Sequence, residues 1–74
     1  MNQHEPYTCE QLQQGKFQII STIHKLKETL KTLQSKENPK RYASQITLAQ
    51  RRIDAFELSL IFFNEKISEL QCEV

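Results

Sequence analysis

The chain has 74 residues, which is at most one small domain and near the size at which a single core is barely sufficient. With one glycine, two prolines and a formal net charge of +1, its composition favours long helices over a sheet with many turns. No apolar run approaches the ~18 residues that cross a bilayer, and the opening stretch MNQHEPYTCEQ lacks the basic and apolar regions of a secretory signal. We therefore expect an all-α cytoplasmic protein without a membrane span.

The first predicted helix runs from about residue 9 to about residue 35. Thr8 is followed three residues later by Gln11, a pair that matches a capping box and predicts a helix start just after Thr8. Gly15 is the weak point, because glycine inside a helix costs about 1 kcal/mol relative to alanine. The apolar residues of this helix keep a heptad rhythm: Leu12, Ile19, Ile23, Leu26, Leu30 and Leu33.

The stretch SKENPKR predicts a short turn around residues 36–39. The residue before a proline is disfavoured in a helix, whereas Pro39 itself suits the first turn of a new one, so Asn38 is the expected N-cap. In the second predicted helix apolar residues recur in alternating steps of four and three, without interruption. They are Tyr42, Ile46, Ala49, Ile53, Phe56, Leu60, Phe63, Ile67, Leu70 and Val74.

The two apolar stripes should face each other in an antiparallel two-helix hairpin. Folding the chain at the turn places Leu12 near Phe63 and pairs the remaining positions in the same register. We call these two facing stripes the seam. Residues 8–74 are predicted to form this single domain, and residues 1–7, which precede the helix cap, are predicted to be disordered.

The two cysteines, Cys9 and Cys72, lie near opposite ends of the chain. In the predicted register Cys9 lies opposite Ile67, so that Cys72 would be displaced from it by roughly 7 Å along a straight helix. Thiols stay reduced in the cytoplasm. We therefore predict two free thiols, with a disulfide as the alternative that fraying of the helix ends would permit.

The sequence predicts no catalytic, cofactor-binding or metal-binding residues. The two cysteines and two histidines show neither C-x-x-C nor H-x-x-x-H spacing, and no glycine-rich phosphate loop or nucleophile elbow is present. His24 falls within a helical pattern, where a solvated or hydrogen-bonded histidine is the ordinary interpretation. We expect that the protein is not an enzyme.

Several apolar residues lie outside the seam. At about 100° per residue, those of the second helix form another stripe, roughly 80 to 160° around the helix from the seam. A hairpin cannot bury such a stripe against its own partner helix, so we predict that another molecule covers it. The predicted partner-binding residues are Leu48, Ala55, Leu58 and Phe62, with Phe17 and Ile20 of the first helix as a lesser patch.

Charge is distributed unevenly along the chain. Residues 25–52 carry eight basic and two acidic side chains, whereas residues 53–74 carry one basic and five acidic ones. The turn end of the hairpin is therefore basic and the opposite end acidic. A basic end permits nucleic-acid binding, but no aromatic residues are interleaved with the charges, so a solvated surface is the alternative and we predict no nucleic-acid partner.

The layout IISTIHKLKETLKTLQ, a short polar turn, then KRYASQITLAQRRIDAFELSLIFF resembles a known family. These are the YscE-like co-chaperones of the type III secretion needle subunit, small proteins that form a helical hairpin. The resemblance covers about residues 17–67 and includes a tyrosine just after the turn, Tyr42. The aromatic pair Phe62 and Phe63 and the tail SELQCEV depart from the pattern.

This resemblance implies a cytoplasmic co-chaperone that stabilises a larger helical-repeat chaperone. Together the two would keep the needle subunit monomeric until export, a role in virulence. An apolar stripe beside a complete seam suits docking into the groove of such a partner. Without the partner, the stripe should pair with itself in a homodimer. The alternatives are a self-associating structural hairpin and a small nucleic-acid-binding protein.

Overall fold

The computed structural model describes residues 7–72, with only the backbone of residue 39, and shows a hairpin of two α-helices. Helix α1 spans Cys9–Gln34 and helix α2 spans Ala43–Glu69. A short 3-10 helix, Pro39–Tyr42, precedes α2, and no strand occurs in the described part of the chain. The predicted fold class, an all-α helical hairpin, is confirmed.

The core lies along the seam between α1 and α2. The buried apolar residues are Leu12, Ile23, Ala49, Ile53 and Ile67. The other predicted seam residues are only half-buried, except Val74, which lies outside the described residues. The molecule measures 59 × 21 × 14 Å, and within residues 7–72 no third layer of structure covers the seam.

The start of α1 is held by the predicted capping box. The Gln11 backbone N–H donates to the Thr8 hydroxyl oxygen at 3.1 Å, and the Thr8 N–H donates to Oε1 of Gln11 at 2.9 Å. These two bonds satisfy N–H groups that have no partner within the helix. Of the stretch predicted to be disordered, residues 1–6 lie outside the described residues, and Tyr7 lies half-buried beside Lys66.

The turn differs from the prediction in its local geometry. Asn38 occupies the N-cap position of the 3-10 helix, but its side chain makes no capping hydrogen bond. The residue before a proline is held away from helical backbone angles, and Asn38 accordingly has φ −127° and ψ 79°. Its carbonyl accepts from the Arg41 N–H at 3.0 Å, so the chain makes a 3-10 turn before α2 begins at Ala43.

At the other end of the hairpin, α2 closes with a Schellman motif. The Cys72 N–H donates to the Ile67 carbonyl and the Gln71 N–H donates to the Ser68 carbonyl, both at 3.0 Å. Gln71 has φ 56°, the left-handed conformation that glycine usually provides at this position. The chain therefore turns away from the helix axis immediately after Glu69.

The predicted free thiols are wrong, because Cys9 and Cys72 form a disulfide with their Cα atoms 5.6 Å apart. The expected offset of about 7 Å assumed that α2 continued straight to Cys72. The Schellman motif instead ends the helix and turns Cys72 back toward the first turn of α1. The bond joins residues separated by 63 positions and closes the end of the hairpin opposite the turn. We call this end the clasped end.

Gly15 lies inside α1 and faces the aromatic ring of Phe63. A Cβ atom at this position would lie 2.9 Å from Cε1 and 3.1 Å from Cζ of that ring. The helix continues through Gly15 without a break. Glycine therefore weakens the helix locally but allows α1 and the Phe63 ring to approach closely.

Candidate partner-binding surface

The apolar residues that the sequence places outside the seam of α2 are exposed. Leu58 is 55% exposed, Phe62 59% and Leu48 48%, and Ala55 is also exposed. We call Leu48, Ala55, Leu58 and Phe62 the docking face. Their exposure agrees with the sequence analysis, whereas their role in binding stays a prediction.

The docking face is separated from the seam by the geometry of α2. Leu48 precedes the buried Ala49 in the sequence, but successive residues lie about 100° apart around a helix. Residues 48, 55 and 62 are spaced by seven, and Leu58 lies between the last two, which is the spacing of a coiled-coil stripe. Closing the hairpin therefore leaves this stripe on the outside.

Leu58 and Phe62 are the strongest candidate anchors. They lie four residues apart, hence about one turn, and both are more than half exposed. Covering them would remove apolar surface from water, stabilising a complex by about 1 kcal/mol or more for each side chain. At protein interfaces a few well-packed side chains account for most of the binding energy.

Ile61 extends this surface and was not among the predicted binding residues. It is exposed and follows Leu58 by three positions, so the two side chains are neighbours on the helix surface. The i, i+3 spacing from Leu58 is a signal that could have included it. Leu58, Ile61 and Phe62 are thus three large apolar side chains exposed within about one turn of α2.

The lesser patch on α1 is also exposed. Phe17 is 66% exposed and Ile20 42%. Both line a groove of about 320 Å³ together with Gln13, Lys16 and Ile67. Because Ile67 belongs to α2, this groove lies between the two helices near the clasped end. It provides a second, smaller apolar surface.

Another groove connects the docking face to the clasped end. It has a volume of about 260 Å³ and is lined by Tyr7, Leu12, Phe62, Phe63 and Lys66. Phe62 thus belongs both to the docking face and to the wall of this groove. A movement of the clasped end would therefore change the contacts around Phe62, a predicted anchor residue.

Lys66 holds polar groups together beside this groove. Its Nζ lies 3.1 Å from Oε1 of Glu69 and 5.8 Å from the centre of the Tyr7 ring. Hydrogen bonding to Glu69, and secondly to Tyr7, raises the pKa of Lys66 from 10.5 to about 12. The ammonium group is therefore charged throughout the physiological range and links Tyr7 to the end of α2.

The docking face has different charges near its two ends. Leu48 lines a groove of about 470 Å³ with Arg51, whereas Glu65 follows Phe62 by three positions on the helix surface. Between the helices, Lys27 pairs with Glu57 at 3.2 Å, and both side chains are well exposed. A partner that matches this surface would be apolar along its centre and would carry opposite charges at its edges.

The described residues contain neither a cluster of metal-ligating side chains nor a helix that could span a membrane. Within residues 7–72, no three histidine, cysteine, aspartate or glutamate side chains are grouped so that they could hold a metal ion. Neither helix, over its described length, is long and apolar enough to cross a lipid bilayer.

Comparison with known proteins finds no matching family model, no matching curated protein and no matching solved structure. The docking face therefore has to be interpreted from its own geometry, exposure and charge.

Proposed function

We propose that the protein is a co-chaperone that binds a helical-repeat chaperone through the docking face. In this proposal the pair keeps the needle subunit of a type III secretion system monomeric before export. Leu58 and Phe62 enter the groove of the repeat protein, and Phe17 and Ile20 add a secondary contact. The chain itself carries out no chemical step.

The observation that carries this proposal is the exposure of Leu58 and Phe62 although the seam is closed. The face of α2 that points toward α1 is already covered, because Ala49, Ile53 and Ile67 are buried in the seam. A helix with one covered face and one exposed apolar face suits the groove between neighbouring helices of a repeat protein. The sequence resemblance supplies the identity of the proposed partner.

The proposed compartment is the cytoplasm, where glutathione and thioredoxin keep most protein thiols reduced. Cys9 and Cys72 form a disulfide in the structure. The proposal therefore requires the chain to function there with this bond reduced, unless the bond is protected or re-formed. The docking face remains on the outer side of α2 in either case, since helix geometry determines its position.

The experiment that tests the proposal removes the anchors. The double variant Leu58→Ser and Phe62→Ser should keep its helix content by circular dichroism but no longer co-purify with a helical-repeat chaperone expressed beside it. The matched control is Phe17→Ser with Ile20→Ser, which removes one phenylalanine and one isoleucine from the lesser patch and should reduce the yield only partly. Equal retention of both variants would refute the proposal. Unfolding of the first variant would place Leu58 and Phe62 in an internal core.

A second candidate function is self-association through the docking face. Because Arg51 lies near one end of this face and Glu65 near the other, an antiparallel arrangement of two copies would bring opposite charges together. We also expect such a homodimer when the chaperone is absent. Sedimentation of the isolated chain at micromolar concentration should show a dimer, and the Leu58→Ser and Phe62→Ser variant should be monomeric. A folded wild-type monomer would exclude this candidate.

Nucleic-acid binding is the remaining alternative, and it would use the basic turn end. Lys36 and Arg41 line a groove of about 340 Å³ there, together with Glu37, Asn38 and Tyr42. Binding through such charges would weaken steeply as the salt concentration rises, whereas apolar docking would not. Salt-insensitive retention of the chaperone and no retention on DNA are the results expected from the proposed function.

A further inference from the structure

We propose that the Cys9–Cys72 disulfide is a reversible redox clasp that controls how far the docking face extends beyond Phe62. The first part of this proposal, opening of the clasped end on reduction, concerns the isolated chain. The second part, a change in partner affinity, rests on the proposed function.

Besides the disulfide, the packing of Leu12 and the contact of Tyr7 with Lys66 hold the start of α1 near α2. Between Cys9 and Gly15, Leu12 is the one buried apolar side chain among the described residues. The Thr8–Gln11 capping box is internal to α1 and does not attach the helix to α2. Gly15 then interrupts the good helix formers, so that the segment before it is the part of α1 most readily released.

The turn end does not depend on the disulfide in the same way. Ile23, Ala49 and Ile53 are buried in the seam, and the connecting loop keeps the two helices close together there. Lys27 and Glu57 form an additional ion pair between the helices. Reduction should therefore release the clasped end first and leave the central and turn-end parts of the hairpin folded.

Opening of the clasped end would uncover Phe63. Its ring now packs over Gly15 and lines the same groove as Phe62 and Leu12. When the first turns of α1 move away, Phe63 becomes an apolar surface continuous with Phe62. A partner helix could then contact the faces of both aromatic rings, whereas in the closed form Phe63 is half-buried against Gly15. Reduction thus enlarges the docking face.

The chemical step is thiol–disulfide exchange with a dithiol reductant. A thiolate of the reductant attacks one of the two protein sulfur atoms, breaks the S–S bond and forms a mixed disulfide. The second thiol of the reductant then displaces the protein sulfur from this intermediate. Two electrons and two protons pass to Cys9 and Cys72, which become thiols, and the reductant becomes a cyclic disulfide. Cys9 and Cys72 are only half-buried, which permits the initial attack.

Hydrogen exchange of the isolated chain tests the opening directly. In the oxidised chain and in the chain reduced with dithiothreitol, amides of residues 11–15 and 64–70 are compared with those of residues 23–30 and 49–56. Loss of the bond also lowers the stability of the whole hairpin, so reduction should accelerate exchange in all four segments, but at least tenfold more in the first two than in the other two. Equal acceleration everywhere, including complete unfolding, would overturn a local clasp, as would unchanged exchange. Two titratable thiols in the air-oxidised chain would overturn it as well.

Matched variants separate loss of the bond from effects of the reagent. Cys9→Ser and Cys72→Ser each leave one thiol and no intramolecular disulfide, so both should show the exchange pattern of the reduced wild type, and dithiothreitol should change neither further. Reoxidation of the reduced wild type should restore slow exchange. A pattern that differs between the two variants, or that reoxidation does not reverse, contradicts a reversible clasp.

The predicted change in partner affinity is measured with a purified helical-repeat chaperone that co-purifies with the chain. Reduced wild type should bind it about tenfold more tightly than oxidised wild type, the change expected when one further aromatic side chain is buried. Phe63→Ser should abolish this difference between the two redox states. Equal affinities in both states would refute redox control but leave the proposed function intact. Absence of binding in both states would refute the proposed function, while the exchange result would still decide whether the clasp opens.

Discussion

The two ends of the hairpin are held together by different means. At the clasped end a disulfide joins residues separated by 63 positions, and a capping box and a Schellman motif fix the helix termini. At the turn end the chain is continuous and makes a 3-10 turn, whose N-cap residue Asn38 forms no side-chain bond. The helices are already joined by the loop at the turn end, whereas at the opposite end, where the start of α1 meets the end of α2, they require specific contacts.

The two ends of the hairpin also differ in charge. The turn end is strongly basic and the clasped end acidic, with Lys66 as the one basic residue beyond residue 52. Lys66 pairs with Glu69 and contacts Tyr7, so it connects the segment before α1 to the last turn of α2. The single basic residue of the acidic half is thus used to hold the clasped end. The following predictions test this difference between the ends.

Loss of the disulfide should have the largest effect on stability. Cys9→Ser and Cys72→Ser should each lower the free energy of unfolding by about 2 to 4 kcal/mol, because an open chain gains more conformational entropy on unfolding than a closed loop of this length. Urea denaturation of each variant, beside oxidised and reduced wild type, measures this loss. Equal stability of oxidised and reduced wild type would show that the clasped end does not depend on the bond.

Gly15→Ala should lower stability although alanine is the better helix former. The gain in helix propensity is about 1 kcal/mol, but overpacking against the Phe63 ring costs roughly 1 to 3 kcal/mol. We expect a net loss of about 1 kcal/mol by thermal or urea denaturation. In the Phe63→Leu background the ring is absent, and there Gly15→Ala should stabilise. Stabilisation in both backgrounds would show that the close approach is unimportant.

The two helix starts should respond differently to loss of their cap residues. Thr8→Ala removes a side-chain acceptor that the Gln11 N–H uses, and should lower the free energy of unfolding by about 1 kcal/mol. Asn38→Ala removes no capping bond and should change it by less than about 0.5 kcal/mol. Denaturation of the pair under identical conditions makes the comparison. A larger loss of unfolding free energy for Asn38→Ala than for Thr8→Ala would show that the Asn38 side chain stabilises the turn end, contrary to our description.

Gln71→Gly should stabilise the chain modestly. Gln71 has φ 56°, a conformation that costs a residue with a side chain roughly 1 kcal/mol and that glycine adopts freely. Part of this gain is lost because glycine is also more flexible in the unfolded chain, so we expect a net gain of about 0.5 kcal/mol. Gln71→Ala is the matched control and should show no gain. Equal behaviour of the two variants would exclude a contribution from the left-handed conformation.

The smallest predicted effect is a change in the titration of Lys66. Because its pKa is raised to about 12 chiefly by Glu69, Glu69→Gln should move it back toward 10.5, and Tyr7→Phe should lower it less. The side-chain carbon resonances of Lys66 report this titration in NMR spectra. A raised pKa in the folded state means that these contacts stabilise the fold below pH 10.5 and that this contribution is lost as the pH rises toward 12. An unchanged midpoint in Glu69→Gln would show that Glu69 is not the cause.

Much of the docking face was predictable because, in a helix, the spacing of residues in the sequence determines the side of the helix on which each residue lies. Leu58 and Phe62 lie far around α2 from Ile53, and this angular separation holds wherever the helix is placed. Ile61 could have been included for the same reason, since it follows Leu58 by three positions. Which molecule covers these residues does not follow from spacing, because several apolar partners fit one stripe.

The sequence by itself determined two amphipathic helices, their facing stripes and the Thr8–Gln11 capping box, since each depends on residues that are near one another along the chain. Only the tertiary structure decided the Cys9–Cys72 bond and the contact of Phe63 with Gly15. The disulfide depends on where α2 ends and on how Gln71 turns the chain, whereas the contact of Phe63 with Gly15 depends on how the two helices pack. A straight helix extrapolated to Cys72 misses the disulfide, because the left-handed conformation of Gln71 redirects the chain that follows it.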